Sequence, residues 1–182
     1  MAKLPIITAP DPRLKKKAEA VASVDSALRQ LMDDMLETMY AAPGIGLAAT
    51  QVGVMKRVIV LDIAREGEAP QPLRIANPEL VWVSDEDASY EEGCLSLPEH
   101  YAEVVRPEAI RLKYLDETGA ARELEAEGLL ATCIQHEIDH LDGILFVDHI
   151  SALKRNMILR KLLKAKKSAE LPSYSEAAAP AA

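Results

Sequence analysis

Gln135-His136-Glu137-Ile138-Asp139-His140 contains His-Glu-x-x-His, and this unit constrains the fold because its chemistry requires a helix. On a helix, His136 and His140 stand one turn apart on one face, and their ring nitrogens can converge on a single metal ion. Glu137, next to the first histidine, can reach a water at that ion as proton acceptor. The unit lacks a third ligand, which must come from elsewhere in the fold. A plainer reading makes His136 and His140 two histidines on a polar helix face, paired with carboxylates such as Asp139 and Asp142.

The flanking sequence sets the helix in an α+β fold. Gly128 to about Leu141 is expected to be the central helix, with Leu129, Leu130, Cys133 and Ile134 as apolar surface and Gly143 ending it. Asp25 is placed to cap an N-terminal helix to about Tyr40, where Leu28, Leu31, Met32, Met35, Leu36 and Met39 recur at three and four. Pro43-Gly44-Ile45-Gly46 breaks it. Arg57-Val58-Ile59-Val60-Leu61-Asp62 reads as a buried strand, and 67–72 as an exposed loop. Residues 73–84 read as one or two short strands divided at Asn77-Pro78. Residues 85–92 read as an acidic segment solvated at its start.

Alternation around 102–106 and over 110–115 predicts two further strands, the second returning through Asp116-Glu117-Thr118-Gly119 along 120–126. A last helix is expected from about Ser151 to Ala165. The expected architecture is short antiparallel strands packed around the metal-binding helix, with an N-terminal and a C-terminal helix. Residues 1–167 form one domain, and 168–182, rich in Ala, Ser, Pro and Glu, form a disordered tail.

Composition excludes several classes. A formal charge of -8 argues against general DNA or RNA binding. No apolar run approaches the length of a membrane span. The start, Met-Ala-Lys-Leu-Pro-Ile-Ile, is interrupted by Pro10-Asp11-Pro12 and does not form a secretory signal, so a cytoplasmic location is expected. Cys94 and Cys133 are the two cysteines. A disulfide is open on count alone, but a thiolate ligand suits a reducing compartment better.

Cys94 lies in Glu91-Glu92-Gly93-Cys94-Leu95-Ser96-Leu97-Pro98, where glycine permits close backbone approach and proline stiffens the exit. Its thiolate would complete a Cys-His-His set with one position left for water or substrate, as a catalytic site needs. Cys133 is a rival ligand, three residues before His136, although a core role is simpler for it. Gly44-Ile45-Gly46-Leu47-Ala48-Ala49-Thr50-Gln51 lacks the features of a phosphate loop. Its small residues let the backbone approach a ligand, and Gln51 can donate to a developing oxyanion or simply tie down the loop.

These three segments, in this order and at compatible intervals, resemble the motifs of peptide deformylases, and Pro10-Asp11-Pro12-Arg13-Leu14 resembles that family's N-terminal segment. The likeness extends from about residue 4 to 165. It implies removal of the formyl group from the N-terminal methionine of nascent polypeptides, releasing formate. It implies a catalytic Fe2+, replaceable by Ni2+, Co2+ or Zn2+, with Cys94, His136 and His140 as ligands. Glu137 becomes the general base and acid, and Gln51 and the Leu95 N–H become oxyanion donors.

By the same resemblance, Ile45 and Gly46 are backbone partners of the peptide. Ile45, Tyr90, Leu129, Thr132 and Cys133 line or flank the methionine pocket, and Glu92 and Arg106 pair to brace the Cys94 segment. Tyr101 stands where many bacterial members carry arginine. A monomer is expected. The basic face of the last helix, with Lys154, Arg155, Arg160, Lys161 and Lys164, is either a solvated face or a contact to ribosomal phosphates. Two other classes remain open on the residues. A zinc peptidase shares His-Glu-x-x-His but usually takes Glu or His as third ligand. A non-enzymatic metal-binding or ribosome-associated protein would need neither Glu137 nor Gln51.

Overall fold

The computed structural model describes residues 2–168. In chain order it contains α1 (Ser26–Ala41), β1 (Gly46–Ala48), β2 (Val58–Leu61), β3 (Leu73–Val83), β4 (Asp87–Cys94), β5 (Leu97–Pro107) and β6 (Ala109–Leu115). It continues with β7 (Ala121–Glu127), α2 (Gly128–Leu141) and α3 (Ala152–Lys167), and short 3-10 turns occupy Pro12–Lys15, Ala49–Val52 and Phe146–His149. The class is α+β. A five-stranded antiparallel sheet has the order β1-β2-β3-β6-β7, and β4 and β5 form a separate two-stranded sheet.

β2 explains the layering. Its four residues are all buried. Val58 and Val60 pack with Met32, Met35 and Met39 of α1, whereas Ile59 and Leu61 pack with Ala131, Ile134 and Ile138 of α2. Successive strand side chains point to opposite faces, so this strand carries a helix on each side and must be apolar throughout. Flexible methionines fill the α1 layer in a chain with one Phe and one Trp. A third cluster lies against the β4–β5 hairpin, where Leu97 and Val104 meet Leu14, Phe146, Val147 and Leu162 of α3.

The termini of the helices follow local chemistry. The Asp25 carboxylate accepts from Leu28 N–H at 2.8 Å and starts α1. Ser151 does the same for α3 through Lys154 N–H at 3.2 Å. At α2 the chain passes from strand to helix without a connecting loop. Gly128 makes this possible with φ 61°, in the left-handed region that favours glycine, and its N–H donates to Glu108 O at 3.1 Å. From Ala131 to Ile138 every residue of α2 is buried, as befits a central helix.

Of the two readings open for 73–84, the single strand holds, over residues 73–83. At the expected break the register shifts, and Asn77 adopts φ 49° while its side chain exchanges two hydrogen bonds of 2.8 Å with the Val21 backbone. The irregularity is absorbed as a bulge. Residues 87–94 belong to a full strand paired with β5 along its length. Asp87, Ser89 and Glu91 face outward, which accounts for the acidic, solvated look of that segment. Not all strands are short either, since β3 and β5 each run 11 residues.

The last helix extends to Lys167 and is capped by Ser168. The rest of the expected tail, 169–182, lies outside the described residues. Among the described residues no helix is long and apolar enough to cross a membrane.

Candidate metal centre

Two elements converge on one point. Cys94 ends β4, and Leu95 and Ser96 turn the chain into β5, with the register shifting between Gly93 and Cys94. His136 and His140 project from α2. The Cys94 Sγ and one ring nitrogen from each histidine all lie within 4.8 Å of one another, and Cys94 Sγ is 3.2 Å from His140 Nε2. A thiolate with two imidazoles is a donor set suited to a divalent transition metal, and three protein donors leave room for a non-protein ligand. Cys133 is not part of this group. Its thiol is directed at Ile45 O at 3.7 Å, and burial pushes it well above its ordinary pKa.

Asp139 and Asp142 do not pair with the two histidines. Asp142 takes Arg57 at 2.9 Å, and Asp139 takes Arg106 and His149. The partner of His136 is Glu92, whose Oε1 lies 2.8 Å from His136 Nδ1. Arg106 forks onto Glu92 with Nε to Oε2 at 2.7 Å and Nη2 to Oε1 at 2.9 Å. Both side chains of this pair are 5% exposed, so it is an interior ion pair, not a surface one. Burial would raise the Glu92 carboxyl, but the hydrogen bonds from Arg106 and His136 outweigh it and hold it down to about 2.

Burial disfavours a charged His136 ring, yet hydrogen bonds with Cys94 and Glu92 prevail and hold it well above its ordinary value. At His140 burial prevails, with the positive charge of His136 adding to it, and that ring is pushed well below.

Gln51 sits in the 3-10 turn after β1, fixed at both ends of its amide. Its Oε1 accepts from Ala48 N–H at 2.9 Å, while its Nε2 donates to Ser96 Oγ at 3.0 Å and approaches Cys94 Sγ at 3.6 Å. It ties down the loop and also aims a donor at the metal group. Glu137 is buried; its Oε2 makes no hydrogen bond to the described residues, and burial pushes its carboxyl up to about 7. A carboxyl near neutrality that lacks a partner is free to exchange a proton with a ligand.

These groups open into a cavity of about 410 Å³. Ile45, Gly46, Tyr90, Leu129, Thr132 and Cys133 all line it, as do Gln51, Cys94, Leu95, His136 and Glu137. Tyr101 reaches the same cavity from β5 and packs across the strand pair on Gly93, leaving no space there for a side chain. Leu129 and Cys133, four apart on α2, form one wall together.

The floor is equally tight at Gly46. A Cβ added there would stand 2.5 Å from Glu137 Oε1 and 3.0 Å from Cys133 Sγ. Gly46→Ala is therefore expected to displace the Glu137 carboxylate and lower the catalysed rate by about 100-fold, with a nearly unchanged unfolding midpoint. Parallel turnover and thermal-denaturation measurements check this. An active Gly46→Ala protein would mean that the Glu137 position is not critical.

Ser96, within the segment that carries Cys94, is a partner of Gln51 that the sequence does not single out, and the Asp139–His149 contact has no local spacing to signal it.

The comparisons with known proteins agree with this geometry. Residues 3–156 match the family model described as polypeptide deformylase. A peptide deformylase from Methylocella silvestris is 63% identical over 166 residues, covering 90% of this chain and 85% of that protein. The crystal structure of peptide deformylase from Ehrlichia chaffeensis superposes with a TM-score of 0.88 at 41% identity, covering 93% of this chain and 100% of that one. Peptide deformylase from the same organism in complex with actinonin gives a TM-score of 0.86 at 44% identity, over 92% and 98% of the two chains.

Proposed function

Because the chain belongs to the polypeptide deformylase family, metal-dependent hydrolases that remove the N-terminal formyl group from nascent polypeptides, we propose that Cys94, His136 and His140 hold one ferrous ion and that Glu137 is the general base and acid. The observation that carries this reading is the convergence of a thiol and two imidazoles within 4.8 Å of one another, with Cys94, His136 and the unpaired buried carboxyl of Glu137 lining one cavity. The donor set fits the group: a soft thiolate supports iron, and nickel, cobalt or zinc are its natural substitutes.

Held there, the ion would supply Lewis acidity for the hydrolysis. Glu137 takes a proton from the attacking water. As the carbon becomes tetrahedral, the Gln51 Nε2 donor and the Leu95 N–H meet the charge gathering on the formyl oxygen. The C–N bond then breaks, Glu137 returns its proton to the methionine nitrogen, and formate departs. Glu92 holds the His136 ring at Nδ1, and Arg106 holds Glu92, so the donors keep their orientation through the cycle. Ile45 and Gly46 present backbone to an extended peptide, while Tyr90, Leu129, Thr132 and Cys133 surround the methionine side chain. Residues 1–167 act as one catalytic domain, monomeric and cytoplasmic in this reading.

The test is anaerobic purification with metal analysis, followed by formate release from a formyl-methionyl peptide. About one iron per chain with rapid release supports the reading. Absence of release from a fully metal-loaded protein overturns it. Cleavage of internal peptide bonds instead would favour the zinc-peptidase alternative.

A second element concerns α3. Lys154, Arg160, Lys161 and Lys164 are exposed on it, whereas Leu162 is buried in the third core cluster. This basic helix offers a transient contact to ribosomal phosphates, as a charge patch within an acidic chain. Truncating it would uncover the core, so the sharper test replaces those four cations by glutamine. Ribosome co-sedimentation with unchanged salt dependence would remove the proposal.

A further inference from the structure

We propose that His149 is a positioning residue for the metal-binding ring of His136, acting through Asp139, Arg106 and Glu92; this rests on the assignment of His136 as a ligand. The four contacts form an unbroken chain. His149 Nε2 is 2.7 Å from Asp139 Oδ2, and the same oxygen accepts from Arg106 Nη1 at 2.8 Å. Arg106 then forks onto Glu92 at 2.7 and 2.9 Å. Glu92 Oε1, which takes one tine of that fork, also holds His136 Nδ1 at 2.8 Å.

The chain joins segments far apart in sequence. His149 ends the 3-10 turn before α3, Asp139 and His136 lie on α2, Arg106 on β5 and Glu92 on β4. Side-chain exposure falls along it, from 34% at His149 through 19% at Asp139 to 5% at Arg106 and Glu92. The inner links are held by burial and bidentate geometry. The outer link has no such support: Asp139 is partly wet, and its orientation depends on which groups occupy Oδ2.

With His149 in place, Oδ2 stays turned toward Arg106 and adds a third hold on the plane of the guanidinium, which Glu92 grips at two points. That plane sets where the Glu92 oxygens stand, and Glu92 sets the tilt and donor strength of His136. His149 itself is steadied by its turn, where Asp148 Oδ2 accepts from Leu145 N–H at 2.8 Å and from Lys15 Nζ at 2.6 Å. The junction that attaches α3 to the domain is thus also the outer end of the support for a metal ligand.

The experiment compares full-length nickel-loaded wild type, His149→Phe, His149→Gln, Glu92→Gln and the Glu92→Gln/His149→Phe double variant. Metal loss to excess chelator is followed, together with kcat and KM for formyl-methionyl-alanine and the visible bands of the cobalt-loaded proteins. His149→Phe is expected to speed metal loss by about threefold to tenfold, below the roughly 10- to 100-fold effect of a direct partner of the ligand. It shifts the cobalt bands and lowers kcat with KM unchanged. His149→Gln keeps an N–H for Asp139 and restores most of the difference.

In the Glu92→Gln background the Phe substitution adds nothing, because its effect travels through Glu92. Metal loss within about twofold of wild type for His149→Phe overturns the proposal. So does an equal further effect in the Glu92→Gln background. Should His149→Phe fold poorly, His149→Ala removes the same link without the added ring and carries the same expectations. Formate release by the wild type is read in the same assays, so failure of the deformylase reading is seen separately from failure of this one.

Discussion

Glu137→Gln is expected to slow formate release from a formyl-methionyl peptide by about 10²- to 10⁴-fold, the range of general acid–base catalysis, while the protein keeps its metal. Glutamine preserves the size of the side chain and its fit beneath Gly46, where a Cβ would already collide with Oε1. What it removes is the ability to accept and return a proton. Burial pushes the Glu137 carboxyl up to about 7, which matches a group that must be a base in the first half of the cycle and an acid in the second. Equal metal content in variant and wild type assigns the loss to proton transfer. Full turnover by the variant would end the assignment of Glu137 as base.

Cys94→Ala is expected to abolish stoichiometric metal binding and with it turnover. Cys94 belongs to the β4–β5 hairpin and the histidines to α2, so an ion shared by them links two separately built parts of the fold. A metal at a thousandfold excess over its dissociation constant adds about 4 kcal/mol to stability, or about 8–16 °C in Tm for a domain of this size. Chelation of the wild type should lower Tm by an amount of that order, reversibly. Cys94→Ala should melt near the chelated protein and gain nothing when metal is added. Thermal scans with and without chelator read both. If Cys94→Ala retained one metal per chain and full activity, the ligand role would pass to another group, with Cys133 first in line.

Much of this molecule was legible because its signals are local. The bounds of α2 follow from Gly128, from the apolar residues after it and from the His-Glu-x-x-His spacing. That Leu129 and Cys133 share one side of α2 follows from helical periodicity, while their place on the cavity wall follows from the family resemblance. β4 was not legible because its inward positions are Ala88, Tyr90 and Glu92, none of them an aliphatic that marks a strand. Its partner β5 supplies the apolar contact instead. Glu92 and Arg106 look in sequence like an ordinary surface pair, and only the packing of the hairpin on α2 places them inside. The register shift at Asn77 depends on a tertiary contact to Val21, and the His149–Asp139 contact spans a helix end and a turn. Asn77-Pro78 marks where β3 is disturbed, but neither of these long-range contacts has a period that a sequence shows.

β1 is the terminal strand of its sheet, three residues long, and Ile45 and Gly46 at its start line the cavity. A border this brief offers a passing chain only a rung or two of main-chain pairing, and main chain is the one thing all proteins share. Were Ile45 and Gly46 to serve as those rungs, as proposed above, downstream side chains would contribute little to the grip. An enzyme that grips its substrate this way would work as a generalist, taking newborn chains of varied composition and letting them go readily.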